Sequence, residues 1–129
     1  MAAGVTEVLA TLARLYVEDL DRSLPLLCEL TGGPPALRFT LRPGLEIAVV
    51  GRFLVIAGSA EELEPLRRTQ ATLVVSSLAA VRALLEAHGA SVLRGPAVVP
   101  TGVALTVRHL DGSVLEYVEW RPEVRARAL

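Results

Sequence analysis

The chain has 129 residues, 52% of them hydrophobic, with 13 basic against 14 acidic side chains and a formal net charge of -1. That is enough apolar material for one ordinary domain with a proper core, and the balanced, scattered charges exclude the basic stripe that a nucleic-acid binder needs. All 13 basic residues are arginine, which excludes Schiff-base chemistry on a lysine and any phosphate loop that depends on one.

Cys28 is the only cysteine, so there is no intrachain disulfide and no cysteine-based zinc site; among leucines on a predicted helix it reads as a buried, inert thiol. The first residues carry no basic side chain before Arg14 and interrupt their apolar positions with Thr6, Glu7 and Thr11, which does not read as a signal peptide. No apolar run approaches the ~20 residues needed to span a bilayer. A cytoplasmic protein without membrane attachment is expected.

Residues 1–9 are weakly patterned, either an arm or an early extension of the first strand, and stay unassigned. Residues 12–17 alternate as a strand, with Leu12, Arg14 and Tyr16 on one face and Ala13, Leu15 and Val17 on the other. The second face is uniformly apolar and is expected to meet a helix. Asp19 or Asp21 caps that helix, and Leu20, Leu24, Leu27 and Thr31 share one side of it. Pro25 is tolerated if the first turn starts near Arg22, where its missing N–H would have no partner anyway. Gly32-Gly33-Pro34-Pro35 ends the helix. Strands follow over 36–41, 45–50 and 53–57, turned by Pro43-Gly44 and Gly51-Arg52. In the first of them Leu37, Phe39 and Leu41 oppose Arg38, Thr40 and Arg42.

Residues 58–68 are charged, open with the cap-like Ser59 and contain Pro65, which predicts a short helical linker on the surface. The pattern then restarts. A strand over 71–75 leads into a helix capped by Ser76 or Ser77, with Leu78, Val81 and Leu85 facing inward and Gly89 closing it. Strands over 90–94, 102–108 and 113–120 follow, the last two joined by a tight turn at Asp111-Gly112. The polar tail 121–129 is expected to be mobile. Val17-Glu18-Asp19-Leu20 corresponds to Val75-Ser76-Ser77-Leu78, and Gly51 to Gly112, so the chain carries an internal repeat. With one helix to four strands in each half, one face of each sheet lacks a helical cover, and two such sheets can shelter those faces by curving around a cleft.

The junctions LYVEDLDRSL and LVVSSLAAVRALLEAHGASV and the ending VRHLDGSVLEYVEW resemble the vicinal oxygen chelate superfamily of glyoxalases, extradiol dioxygenases and the fosfomycin- and bleomycin-resistance proteins. With the repeat, the resemblance covers about residues 12–120. It implies an α+β fold of two tandem βαβββ modules forming curved mixed sheets around a cavity, and a homodimer. The modules span about 10–57 and 70–120, with a linker over 58–69.

Glu116 stands inside the apolar strand Val114, Leu115, Tyr117, Val118, where a carboxylate needs a partner. In the metalloenzymes of the family four strand positions supply ligands, and the resemblance carries them onto Leu12, Val55, Gln70 and Glu116. Leu and Val have no donor atom and an amide is a weak ligand, so no catalytic metal and no other cofactor is expected. His88 falls in the last turn of the second helix, where a helix end favours a cation. His109 falls at the hairpin, where turn geometry accounts for a polar residue. No nucleophile triad and no dinucleotide-binding glycine pattern is present.

The candidate ligand-binding residues are Arg14, Tyr16, Gln70, Thr72 and Glu116, with Arg38 on a strand face that equally suits solvent. Arg14 and Glu116 read either as a structural ion pair or as the polar edge of an apolar pocket. The function expected is a non-metal protein of the glyoxalase/bleomycin-resistance type that encloses an apolar or aromatic small organic molecule. One alternative is a metal-independent lyase or isomerase with Glu116 as general base and Arg14 steadying an oxyanion, although a neighbouring arginine weakens that base. A metal-dependent glyoxalase-like enzyme or dioxygenase and a scaffold with a vestigial cavity are the others. Trp120 caps the cavity, covers the core edge or packs across a dimer interface.

Overall fold

A computed structural model describes residues 6–129. The first half runs β1 (Val8–Val17), α1 (Leu20–Thr31), β2 (Leu37–Arg42), β3 (Leu45–Val50) and β4 (Phe53–Ala57). A short helix α2 (Ala60–Leu63) and a 3-10 turn (Glu64–Leu66) lead to β5 (Ala71–Val75), α3 (Leu78–Ala87), β6 (Ser91–Val99), β7 (Gly102–Arg108), β8 (Val114–Trp120) and α4 (Pro122–Ala128). The strands form one eight-stranded sheet in the order β2-β3-β4-β1-β5-β8-β7-β6. Each half repeats the same wiring: β1 is parallel to β4 and β5 to β8, and the halves join where β1 and β5 run antiparallel. This is the expected α+β fold of tandem βαβββ modules, with the sheets merged into a single half-barrel.

Strand alternation decides which side chains face the helices and which face the hollow. Leu15 and Val17 of β1 pack with Leu20, Leu24 and Leu27 of α1 and with Val55 of β4 on the outer side. Leu73 and Val75 of β5 do the same with Leu78, Val81 and Leu85 of α3. The opposite parity, including Leu12, Ile47, Leu54, Ile56 and Val118, forms the inner core. Local chemistry starts α1 and α3: the Asp19 carboxylate accepts from the Asp21 N–H at 2.9 Å, and the Ser77 hydroxyl from the Ala80 N–H at 3.1 Å, which satisfies N–H groups that lack an intrahelical partner. Gly32 closes α1 at φ 81°, its N–H donating to the Cys28 carbonyl at 2.9 Å.

Several expectations are corrected. β1 begins at Val8 and not at residue 12, so of the two readings left open for residues 1–9 the early extension of the first strand holds for Val8 and Leu9, with Val8 and Ala10 paired to Val75 and Val74 of β5; residues 1–5 lie outside the described residues. Helix α1 starts at Leu20, so Pro25 lies in its interior and not in a first turn starting near Arg22. β6 continues past Gly95-Pro96 to Val99, which an edge strand permits because its outer N–H groups need no ladder partner. The tail 121–129 is not a loose polar end. It forms α4, with Val124 and Ala128 buried against the Trp120 cluster. The linker is not confined to the surface either, since Leu63 is only 2% exposed and Pro65 and Leu66 line the hollow. Among the described residues no helix is long and apolar enough to cross a membrane.

Candidate functional site

The concave face of the sheet surrounds a cavity of about 310 Å³. Its apolar wall is built from both modules, with Leu12, Phe39, Leu54, Ile56, Val118 and Trp120 prominent. One transverse row of the sheet is polar: Arg94, Thr106, Glu116 and Thr72 are successive register partners from the β6 edge to β5, and Leu12 of β1 follows. These side chains share a face because register partners on adjacent strands point the same way.

At the centre, the Arg14 Nη2 lies 3.1 Å from Glu116 Oε1, with side chains 6% and 23% exposed. Arg14 Nε donates to the Thr72 hydroxyl at 3.0 Å, and that hydroxyl donates to the same Oε1 at 2.9 Å. Both contacts fall on Oε1, and among the described residues Oε2 takes no partner. Arg14 Nη1 also donates to Tyr16 Oη at 3.1 Å, and the Tyr16 phenol sits 2.6 and 2.8 Å from the Leu66 and Thr69 carbonyls, which share its one proton. The group therefore fastens the linker to β1, and it fixes the arginine from several sides.

Of the expected ligand-binding residues, Arg14, Thr72 and Glu116 line the cavity together. Tyr16 stands behind the wall, closing it against the linker. Gln70 is exposed at the start of β5 and its Oε1 accepts from the Val114 N–H at 3.1 Å, so it does not reach the hollow. Arg38 faces outward and meets Asp21 of α1 at 2.9 Å, as the solvent-facing reading of its strand would have it. Val55 is corrected as well: it packs beneath α1. Register pairs Arg14 with Leu54 and Thr72 with Glu116, so Leu54 is the counterpart of Glu116. Counting from the turn glycine misplaced it by one residue because the Gly51 hairpin is shorter than the Gly112 hairpin. The four positions to which the resemblance would carry metal ligands are thus Leu12, Leu54, Gln70 and Glu116. One carboxylate and one amide already bonded to backbone do not suit a divalent transition ion, and among the described residues no group of three His, Cys, Asp or Glu side chains comes together.

The sequence reading missed Arg42, Arg68 and Arg94, which also line the cavity. Arg42 and Arg94 sit on the two edge strands and Arg68 in the linker, and no local pattern marks an edge or a linker as part of a wall. It also missed a pair on the outer face. His109 is more than a turn residue: its Nε2 lies 2.6 Å from the Tyr117 hydroxyl and its Nδ1 2.9 Å from the Ser113 carbonyl. Nδ1 therefore carries the proton and Nε2 accepts from the phenol. His88, by contrast, is exposed at the end of α3, and Cys28 is a half-buried free thiol.

Burial pushes the Tyr117 phenol above its ordinary value of 10.0. The folded state holds that proton more tightly than the unfolded chain, so its stabilisation is complete below the unfolded value and is lost as pH rises through the raised one. Alkaline unfolding of the wild type is expected to steepen above pH 10, the ordinary phenol value, and Tyr117→Phe to remove that steepening. Equal slopes in urea titrations of the two proteins across that range would refute the assignment.

No protein-family model matches the chain, and no curated protein matches it. Among solved structures, an uncharacterized hypothetical protein from Methanosarcina mazei is 49% identical over 89% of this chain and 94% of that one, with a TM-score of 0.85. Methylmalonyl-CoA epimerase from Mycobacterium tuberculosis is 18% identical, covering 92% of this chain and 93% of its own, with a TM-score of 0.69. A structure named as NAD-dependent benzaldehyde dehydrogenase from Legionella pneumophila is 17% identical over 86% of this chain and 99% of that one, at a TM-score of 0.53. The last two likenesses concern the fold alone. They share the architecture of curved mixed sheets that the tandem βαβββ reading expects.

Proposed function

We propose, for a chain that belongs to one protein family with the Methanosarcina mazei protein, a role as a non-metal binding protein of the glyoxalase/bleomycin-resistance type. Its occupant is a small organic molecule with an apolar or aromatic body, held between the sheets. The observation that carries this reading is the cavity of about 310 Å³, with an apolar wall drawn from both modules and one fixed polar group, Arg14 with Thr72 and Glu116. Small-molecule sites have this character, mostly apolar with a few placed polar groups and volumes from about 300 Å³ upward. Leucines where the family's metalloenzymes hold donors favour binding without a cation. The protein is further proposed to act in the cytoplasm as a homodimer, with Trp120 no longer a candidate contact because it is buried within its own chain.

A second reading rests on Glu116 Oε2, which is left for the cavity while Oε1 is engaged. In a metal-independent lyase or isomerase it would take a proton from a carbon acid, the electron pair passing into an adjacent carbonyl.

Trp120 is the only tryptophan and lines the cavity, so ligand entry is expected to alter its fluorescence. In a screen of aromatic and aliphatic metabolites, a ligand at a hundredfold excess over its Kd should add about 2.7 kcal/mol of stability by mass action. A panel that leaves both fluorescence and Tm unchanged would sink the binding role. Glu116→Gln then separates the readings: turnover lost with affinity retained selects the enzyme.

A further inference from the structure

Resting on the reading that the cavity takes a ligand, we infer that this ligand is an organic anion, its apolar body inside and its carboxylate or phosphate held by Arg94 and Arg68. Four arginines line the cavity (Arg14, Arg42, Arg68 and Arg94) against a single carboxylate, Glu116. The chain as a whole has 13 basic and 14 acidic residues, so the excess of three positive charges here, four minus one, is local and not a property of the composition. Arg14 and Glu116 neutralise one another. Arg42 has Glu62 at 3.9 Å, but with side chains 51% and 40% exposed that contact is long and solvated, and such pairs contribute little. Among the described residues no carboxylate comes within ion-pair distance of Arg68 or Arg94.

Solubility alone does not explain where these side chains stand. Arg42, Arg68 and Arg94 come from three separate elements, the β2 edge, the linker and the β6 edge, and all meet one apolar hollow. Arg94 sits where the β6 ladder shifts register on both sides, an irregularity of the kind that redirects a side chain. Its register partner Thr106 also lines the cavity and adds a hydroxyl donor beside it. Arg68 and Arg94 are exposed at the rim, so their guanidinium forks stay open to a carboxylate or phosphate, which they can hold through two parallel N–H donors.

Glu116 sets the orientation. At the centre of the row Arg14 is already engaged by Thr72, Tyr16 and Glu116, and the Glu116 carboxylate offers an anionic head only acceptor oxygens. The head is therefore displaced toward the rim arginines, and the body extends over Leu54, Ile56 and Phe39.

The test uses probes of equal chain length at pH 7, with Trp120 fluorescence and calorimetry as readouts: octanoate, octyl phosphate, 1-octanol and octylamine. At least one of the two anions is expected to bind about tenfold or more tightly than octanol, a factor worth about 1.4 kcal/mol. That advantage should shrink with added salt as charges are screened. Whether octanoate or octyl phosphate is preferred decides between carboxylate and phosphate. The double variant Arg68→Gln/Arg94→Gln is expected to bring the ratio of anion to octanol affinity toward one, whereas Arg38→Gln, on the outer face, leaves the wild-type ratio. Octanol binding as tightly as both anions, or octylamine binding tightest, would overturn the anion inference and leave the binding role standing. Failure of all four probes to bind would overturn the anion inference, while the binding role stands or falls with the metabolite panel.

Discussion

Trp120→Ala is expected to destabilise the protein by about 3–5 kcal/mol, the range for emptying a buried tryptophan site, and to weaken ligand binding with it. The indole is 4% exposed. It belongs to the inner core with Val118 on its own strand and Val124 and Ala128 of α4, and it lines the cavity. Truncation therefore removes the surface on which α4 docks and opens that part of the cavity wall. Chemical denaturation followed by far-UV circular dichroism checks the first effect, since the variant has no tryptophan to report. Calorimetric titration of the best ligand checks the second. A large loss that disappeared at high protein concentration would instead place the indole between two subunits, and a loss under about 1 kcal/mol would mean that it is not packed as described.

The strands were legible where period-two alternation ran uninterrupted between turn glycines. β7 falls on the predicted 102–108 and β8 within a residue of 113–120. Gly112, at φ 91°, takes the left-handed backbone that the hairpin requires and that glycine adopts freely. Parity then carried Arg14, Thr72 and Glu116 to one wall, since a strand side chain has only two faces to choose between. Gln70 has the same parity and still misses the cavity, because its amide is drawn to the backbone of β8. Parity gives direction and says nothing about reach. The tail was misread because its burial rests on Val124 and Ala128 alone, two positions one helical turn apart that make no period by themselves. The rim arginines were hidden for a related reason. Which edge residues face each other across a hollow depends on how far the sheet curls, and curl is a property of the assembled sheet.

Arg14→Leu is expected to cost about 3 kcal/mol, whereas Arg14→Leu/Glu116→Leu returns to within about 1 kcal/mol of the wild type. Removing one partner strands the other in a poorly solvated site, while replacing both trades an ion pair for apolar packing, which is often neutral. The lower end of the usual 3–5 kcal/mol for a broken buried pair applies, because Glu116 keeps 23% of its side chain in contact with solvent and is only partly desolvated. Arg14 is held more completely, with Thr72, Tyr16 and Glu116 all bonded to it. The three proteins and Glu116→Leu form a double-mutant cycle in urea denaturation, with a coupling of about 2 kcal/mol or more expected between the sites. If the group is mainly structural, the double variant should also keep its ligand, since the head is assigned to the rim. If ligand affinity falls while stability recovers, the polar centre of the row touches the ligand directly and the orientation inferred from Glu116 is wrong. Additive losses would mean that Arg14 and Glu116 are independent wall residues, and the account of the site as one fixed polar group in an apolar cavity would fail with them.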